Sequence, residues 1–307
     1  MTDSDTDNLG PLALEDFLAL SWPEPEYLLE PLIRAGSVSM IAGQREAGKS
    51  MLAMSMALAC ATGTTTLGGL LHAPRRTKTL YLDGENGGTE TAQRFHFLKQ
   101  HLPMNCAPAD LLVLSPELCL DAMPPDIGTD EGRQYLTDVI GTHGIELLFL
   151  DNLSTLAGAM DENSAQDFEP VQKFLLWLKA HGVASVLLSH VGKDKARGPR
   201  GSSKRTDALS TLIEIAKPDC EEAGSSLKAE MRITKSRHKL TPELRQPLLV
   251  ELHDSGWVTA PLANVATDGD IEALLASGLS GRAIARELGM PVATAARRIQ
   301  VIRGGKE

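Results

Sequence analysis

Gly43-Gln44-Arg45-Glu46-Ala47-Gly48-Lys49-Ser50 satisfies the pattern GxxxxGKS and follows the apolar run Ser37-Val38-Ser39-Met40-Ile41-Ala42. A buried strand, a tight glycine loop and a helix opening at Lys49 would wrap a nest of backbone N–H groups around a phosphate. In that arrangement Lys49 reaches the β- and γ-phosphates, and the Ser50 hydroxyl ligates Mg²⁺. Gly43 and Gly48 allow backbone geometry that a Cβ would obstruct. The helix former Met51-Leu52-Ala53-Met54-Ser55-Met56-Ala57-Leu58 comes next, so the context is strand, loop, helix and not an isolated glycine-rich turn. The expected nucleotide-binding residues are Gly43, Gln44, Arg45, Glu46, Ala47, Gly48, Lys49, Ser50 and Met51, and the expected cofactors are ATP and Mg²⁺.

Downstream the α/β pattern repeats. Strands are predicted at 79–83, 111–114, 145–150 and 183–188, with helices over 89–101, 131–142 and 168–181. In the last of these, Val171, Phe174, Leu175 and Leu178 recur at three- and four-residue spacing and mark one apolar face. Strands alternating with helices imply a mostly parallel sheet with ligands at the carboxyl ends of its strands. After residue 205 the pattern changes to short strands between charged turns, predicted at 207–215, 228–234 and 248–252, which reads as an antiparallel extension. The expected organisation is a flexible tail and lead-in (1–22), an ATPase core (23–258), a linker of small residues (259–267) and a helical unit (268–307).

The chain of 307 residues is 42% apolar and carries a formal charge of −10. That is enough apolar material for a core, and the acidic balance disfavours a protein coated in duplex DNA by overall attraction, though not one with local basic surfaces. Cys60, Cys106, Cys119 and Cys220 form no CxxC pair, which fits a reducing cytosol. No apolar run approaches membrane-spanning length, and the N-terminus is acidic and polar, so a cytoplasmic protein is expected.

The fourth strand ends in Leu147-Leu148-Phe149-Leu150-Asp151, where a carboxylate can stand beside a metal shell. Asn152 can orient the site or simply cap the next turn. Glu85 lies just past the second strand in Leu82-Asp83-Gly84-Glu85-Asn86-Gly87-Gly88, a place from which it can orient an attacking water; Asp83 competes for that role. His190 ends the fifth strand and can sense a γ-phosphate or serve as a structural hydrogen-bonding group. The loop from Gly192 to Arg205 holds Lys193, Lys195, Arg197, Arg200, Lys204 and Arg205 with one acid, Asp194. It reads as a solvated loop or as a DNA-contacting segment working through phosphates, without an aromatic platform for base stacking. Lys235 and Arg237 alternate along an extended segment, so both can enter one site. In a ring they could enter a neighbour's pocket as arginine fingers do; in a monomer they would be ordinary exposed cations.

The ordered set GQREAGKS at 43–50, YLDGEN at 81–86, LLFLDN at 147–152, LLSH at 187–190, RGSS at 200–203 and KSR at 235–237 resembles the RepA-like plasmid replicative helicases. These are a branch of the RecA/DnaB superfamily of ring ATPases, and the resemblance spans residues from about 27 to 255. It implies a RecA-like P-loop ATPase core, α/β in class, with a mostly parallel central sheet and an antiparallel extension. It implies nucleotide binding at Lys49 and Ser50, metal coordination at Asp151, and a water-orienting role for Glu85. It further implies a γ-phosphate sensor at His190 and a finger in trans at Arg237 beside Lys235, with Arg200 a rival. Family members are homohexamers that move on single-stranded DNA through a central channel, with any primase or initiator as a separate chain. Two departures are the short loop between His190 and RGSS and the acidic cluster Asp161, Glu162, Asp167 and Glu169. A nucleotide-regulated duplex-DNA-binding ATPase and an ATP-controlled protein-assembly platform are the competing expectations.

The last forty residues read as three short helices, with Ser280–Gly289 and a helix after Pro291 meeting near Gly289-Met290 as a helix-turn-helix does. The third helix carries Arg297 and Arg298 toward duplex DNA in that reading; a small helical packing module is the alternative.

Overall fold

A computed structural model describes residues 10–22, 24–104, 106–158, 168–190, 208–218, 227–262, 268–288 and 292–304. In chain order a short helix α1 (Leu14–Ala19) precedes a two-stranded ribbon, β1 (Tyr27–Leu29) and β2 (Ile33–Arg34). Then come β3 (Val38–Gly43), α2 (Lys49–Thr62) and a second ribbon of β4 (Thr65–Thr66) and β5 (Leu71–His72). The α/β repeat continues as β6 (Thr79–Asp83), α3 (Gly88–Lys99), β7 (Leu111–Leu114), α4 (Asp130–His143), β8 (Leu147–Asp151), α5 (Leu153–Leu156), α6 (Glu169–Ala180) and β9 (Ala184–His190). It closes with β10 (Thr211–Ala216), β11 (Lys228–Ser236), β12 (Leu248–His253) and β13 (Gly256–Pro261), and with helices α7 (Asp268–Ala276), α8 (Gly281–Glu287) and α9 (Val292–Gly304).

The central sheet has the order β13-β12-β11-β10-β3-β9-β8-β6-β7. Pairing is parallel from β10 to β7 and antiparallel from β10 out to β13. The parallel strands read as unbroken apolar runs because both faces are covered. In β8, Leu147 and Phe149 join the core that holds α2, whereas Leu148 and Leu150 join the core built with α4, α5 and α6. Helix α2 buries nearly every residue from Leu52 to Thr62, which explains why its sequence is apolar on all sides and shows no stripe. It stops at Gly63, whose φ of 65° is the left-handed turn that favours glycine after a helix.

Two elements fall within stretches expected to be linker or tail. β13 runs through the expected start of the linker at 259, because Leu248–His253 offers an edge with which Gly256–Pro261 pairs antiparallel. Within the expected flexible lead-in, Leu14–Ala19 is helical, with none of its residues buried. Helices α7, α8 and α9 close on a core of their own, in which Ile271, Ile284 and Ile299 are buried. No helix among the described residues is long and apolar enough to cross a membrane.

Candidate active site

Parallel pairing in register brings the functional ends together. Gly43 of β3 stands opposite His190 of β9, and Asp83 of β6 opposite Asp151 of β8. Because β9 and β8 lie between β3 and β6, these four strand ends form one crevice at the carboxyl edge of the sheet.

The loop 44–48 leaves β3 beside β10, and a Cβ on Gly43 would stand 2.2 Å from the Ile215 carbonyl oxygen. Gly48 has φ 94°, a left-handed conformation that leads into α2 without strain only for glycine. Lys49, 5% exposed, donates from Nζ to Gly43 O at 3.1 Å and Gln44 O at 2.7 Å, and lies 3.1 Å from His190 Nδ1. Burial holds its ammonium below the ordinary lysine range, while the nearby Asp151 and Glu85 carboxylates pull it back up. Two side chains of the loop turn outward. Arg45 is exposed, and the exposed Glu46 forms a 3.0 Å ion pair with Lys217 beyond β10. Met51 packs against the core under α2.

Asp151 is 1% exposed, and its Oδ2 accepts a 2.6 Å hydrogen bond from the Tyr81 hydroxyl. Burial raises its pKa, hydrogen bonds from Tyr81 and Ser50 oppose the rise, and the Asp83 and Glu85 charges add to it. The Ser50 hydroxyl, in the first turn of α2, acts on the Asp151 carboxylate at the end of β8, so a hydroxyl and a carboxylate, both hard oxygen donors, belong to the same corner of the crevice. That donor set fits Mg²⁺, which takes one or two protein oxygens and completes its shell from phosphate and water.

Asp83, the competing base, is committed elsewhere. Its Oδ1 accepts from Glu85 N at 3.0 Å and Asn86 N at 2.9 Å, and its Oδ2 accepts from the Thr91 hydroxyl. It therefore shapes the loop that presents Glu85. The Glu85 carboxylate accepts from Asn152 Nδ2 and lies 3.6 Å from His190 Nε2.

Asn152 does both things its position allowed. Its Oδ1 accepts from Thr155 N at 3.2 Å and caps α5, which fixes the amide's orientation. Nδ2 then points between Glu85 and His190, 3.1 Å from His190 Nε2. Position alone does not favour this linking role over a plain cap. Tyr81 is a site residue that sequence reasoning does not single out. Its parity with Asp83 along β6 is visible in the sequence, but its partner lies on the neighbouring strand.

Other expected residues are not brought to this crevice. Ser236 pairs with Thr211, and Thr211 with Ser39 near the start of β3, so Lys235 and Arg237 lie at the opposite edge of the sheet from Gly43. Lys193, Lys195, Arg197, Arg200, Lys204 and Arg205 fall outside the described residues, as do Asp161, Glu162 and Asp167. Arg297 and Arg298 both lie on α9, and Arg298 is half-buried there.

A family model described as an AAA domain matches residues 5–196, a stretch that holds the phosphate loop, Glu85, Asp151 and His190. Among solved structures, a KaiC-like protein from the hyperthermophilic archaeon Pyrococcus horikoshii OT3 is similar, with 15% identity and a TM-score of 0.50. That alignment covers 76% of this chain and 94% of the other. A RadB recombinase aligns with 14% identity and a TM-score of 0.49, over 73% of this chain and 90% of its own.

Proposed function

The chain belongs to the AAA domain family and is a P-loop ATPase, and from that premise we propose an oligomeric enzyme that uses Mg-ATP binding and turnover to set the state of a DNA-bound assembly. Lys49 and the backbone of the 43–48 loop would hold the phosphates, and Ser50 and Asp151 would hold Mg²⁺, which would supply positive charge to the phosphoryl group. Glu85 orients the attacking water and takes its proton, with Asn152 keeping the carboxylate in place and His190 touching both Asn152 and Lys49.

The observation that carries the oligomeric reading is the position of Lys235 and Arg237. Lys49, Glu85, Asp151 and His190 converge at the carboxyl edge of the sheet, while these two cations end on the opposite edge. A second copy stacked edge to edge would bring them to a γ-phosphate, so that each pocket is shared between neighbours. DNA enters through the separate three-helix core at 268–304, which carries Arg297 and Arg298 on its last helix. In this reading nucleotide controls assembly, and the terminal helices choose the duplex site.

Purified protein tests it directly. ATP turnover should rise when duplex DNA is added, and duplex binding should vanish on deletion after residue 267 while ATP binding persists. Turnover indifferent to both duplex and single-stranded DNA would sink the DNA half of the proposal. A second reading, translocation on single-stranded DNA by a hexamer, is favoured by the motif order through RGSS and KSR. Strand displacement on a forked substrate separates it from the first.

A further inference from the structure

Tyr81 lies in the middle of the fully buried strand Thr79–Asp83, where a phenol needs a partner for its hydroxyl. That partner is on the neighbouring strand. Tyr81 stands opposite Phe149 in the β6–β8 register, and Asp151 follows two residues further along β8, on the same face as Phe149. The diagonal from Tyr81 to Asp151 is longer than a direct cross-strand contact, and an aromatic side chain is long enough to span it. The hydroxyl donates to Asp151 Oδ2 at 2.6 Å, with Tyr81 0% and Asp151 1% exposed.

The ring is fixed on two sides. Phe149 stacks on it at 6.1 Å with 23° between the planes, and Phe95 of α3 meets it edge-on at 5.3 Å. The hydroxyl therefore occupies a set point in a close-packed core. Asp151, by contrast, sits among charges that pull it in different directions. Asp83, directly opposite on β6, and Glu85 repel its carboxylate, while the Lys49 ammonium attracts it. The Ser50 hydroxyl bonds to Asp151 as well, but Ser50 is itself an expected metal ligand. Tyr81 belongs to the core and not to the metal corner, so its bond holds the carboxylate whether or not a cation is present.

We infer that Tyr81 is a positioning residue for the metal site: its hydroxyl anchors Asp151 by Oδ2 and so leaves Oδ1 to serve Mg²⁺ beside Ser50. Mg²⁺ demands near-ideal octahedral geometry, so a carboxylate held in one orientation binds it better than one free to turn toward Lys49. This role rests on the reading that Asp151 serves the metal of the ATP site, and not on the readings of DNA or of pockets shared between copies.

The test uses the full-length chain and a fluorescent, non-hydrolysable ATP analogue, with binding followed in EDTA and across a Mg²⁺ titration. Tyr81→Phe keeps the ring and its contacts with Phe95 and Phe149 and removes the hydroxyl alone. It should bind the analogue in EDTA as the unaltered chain does, and should need at least about fivefold more Mg²⁺ to reach half of the metal-dependent gain in affinity. Replacing Tyr81 by 4-aminophenylalanine returns an N–H donor to the same place and should recover most of that shift. Asp151→Asn should shift the Mg²⁺ requirement by itself, and Tyr81→Phe added to it should shift it no further, since Tyr81 acts through Asp151. The double variant also keeps the role measurable if the carboxylate left unpaired by Tyr81→Phe alone weakens the fold. An unchanged Mg²⁺ requirement in Tyr81→Phe, with Asp151→Asn shifted, would overturn the positioning role and leave the metal reading standing. A further shift in the double variant would overturn it too, because Tyr81 would then act by another route. An unchanged requirement in Asp151→Asn would overturn both readings.

Discussion

The Lys49 ammonium and the His190 ring meet at 3.1 Å through Nδ1, on the imidazole whose other nitrogen lies 3.1 Å from Asn152 Nδ2. An ammonium only donates and a neutral imidazole accepts at one nitrogen, so His190 cannot accept from Lys49 and Asn152 in the same tautomer. While Lys49 donates to Nδ1, the ring proton belongs on Nε2, facing Glu85 at 3.6 Å. Nucleotide that draws Lys49 onto its phosphates releases Nδ1 and lets Nε2 accept from Asn152. Nitrogen-15 shifts of His190 should therefore report an Nε2-protonated ring in the free protein and an Nδ1-protonated ring with Mg²⁺ and a non-hydrolysable ATP analogue. An unchanged tautomer would remove the link.

Glu85 and Asn152 should separate binding from turnover. If Glu85 is the base, as proposed, Glu85→Gln, which keeps the shape, should lower turnover by about 10²–10⁴ while ATP affinity holds. Asn152→Ala removes the Nδ2 donor to Glu85 and the α5 cap together, whereas Asn152→Ser restores a capping oxygen alone. If positioning of Glu85 is the role, Asn152→Ser should recover thermal stability but not kcat. Recovery of both would assign Asn152 to the cap alone.

The parts of the fold written in the sequence are those where one physical demand dominates. Leu147–Leu150 is apolar throughout because β8 is covered on both faces, and Asp151 follows because the strand ends at the crevice. Gly256–Pro261 is an edge strand with one neighbour, and its glycine, threonine and proline look like the linker that follows, so its pairing with β12 could be seen only in three dimensions. The site divides in the same way. Lys49, Ser50 and Asp151 sit in local patterns that their chemistry requires. The Tyr81–Asp151 and Asn152–Glu85 contacts join residues separated by 70 and 67 positions, and nothing in either local sequence encodes the partner.

Gly43→Ala tests how closely β10 supports the phosphate loop. The added Cβ would stand 2.2 Å from the Ile215 backbone oxygen, and a backbone group in a paired strand cannot turn aside as a side-chain tip can. Overpacking of this kind costs about 1–3 kcal/mol or more. Thermal unfolding should show a drop of several degrees, together with weaker ATP binding because the loop must move. An unshifted transition would mean that β3 and β10 separate easily.

Arg237 ends on the far edge of the sheet from its own phosphate loop, so Arg237→Ala should spare ATP binding, and in the shared-pocket proposal it should impair turnover. A Lys49→Ala chain cannot bind nucleotide productively but still offers its own Arg237. Mixing the two inactive proteins should restore part of the ATPase rate, with a maximum near equal proportions, because some interfaces would pair an intact pocket with an intact finger. Normal turnover by Arg237→Ala alone would exclude the finger role.

His238 gives the edge that carries Lys235 and Arg237 a pH dependence. Its ring packs edge-on against Tyr27 at 5.9 Å, with the Arg34 guanidinium 4.3 Å from the centre of the same Tyr27 ring, and its Nε2 is buried without a hydrogen bond. Burial, and then the Arg34 charge, lower its pKa below the ordinary histidine value of 6.5. The unfolded chain therefore binds a proton that the native state resists, so stability is held above about pH 6.5 and lost as pH falls through the window beneath it. His238 N also donates to Ser236 Oγ at 3.0 Å, which ties this titration to the turn holding Arg237. Between pH 7 and 5.5 the unaltered protein should lose more melting temperature than His238→Phe, which keeps the ring contact with Tyr27 and cannot titrate. Parallel profiles for the two proteins would show that the ring escapes to water on protonation and that the turn does not feel it.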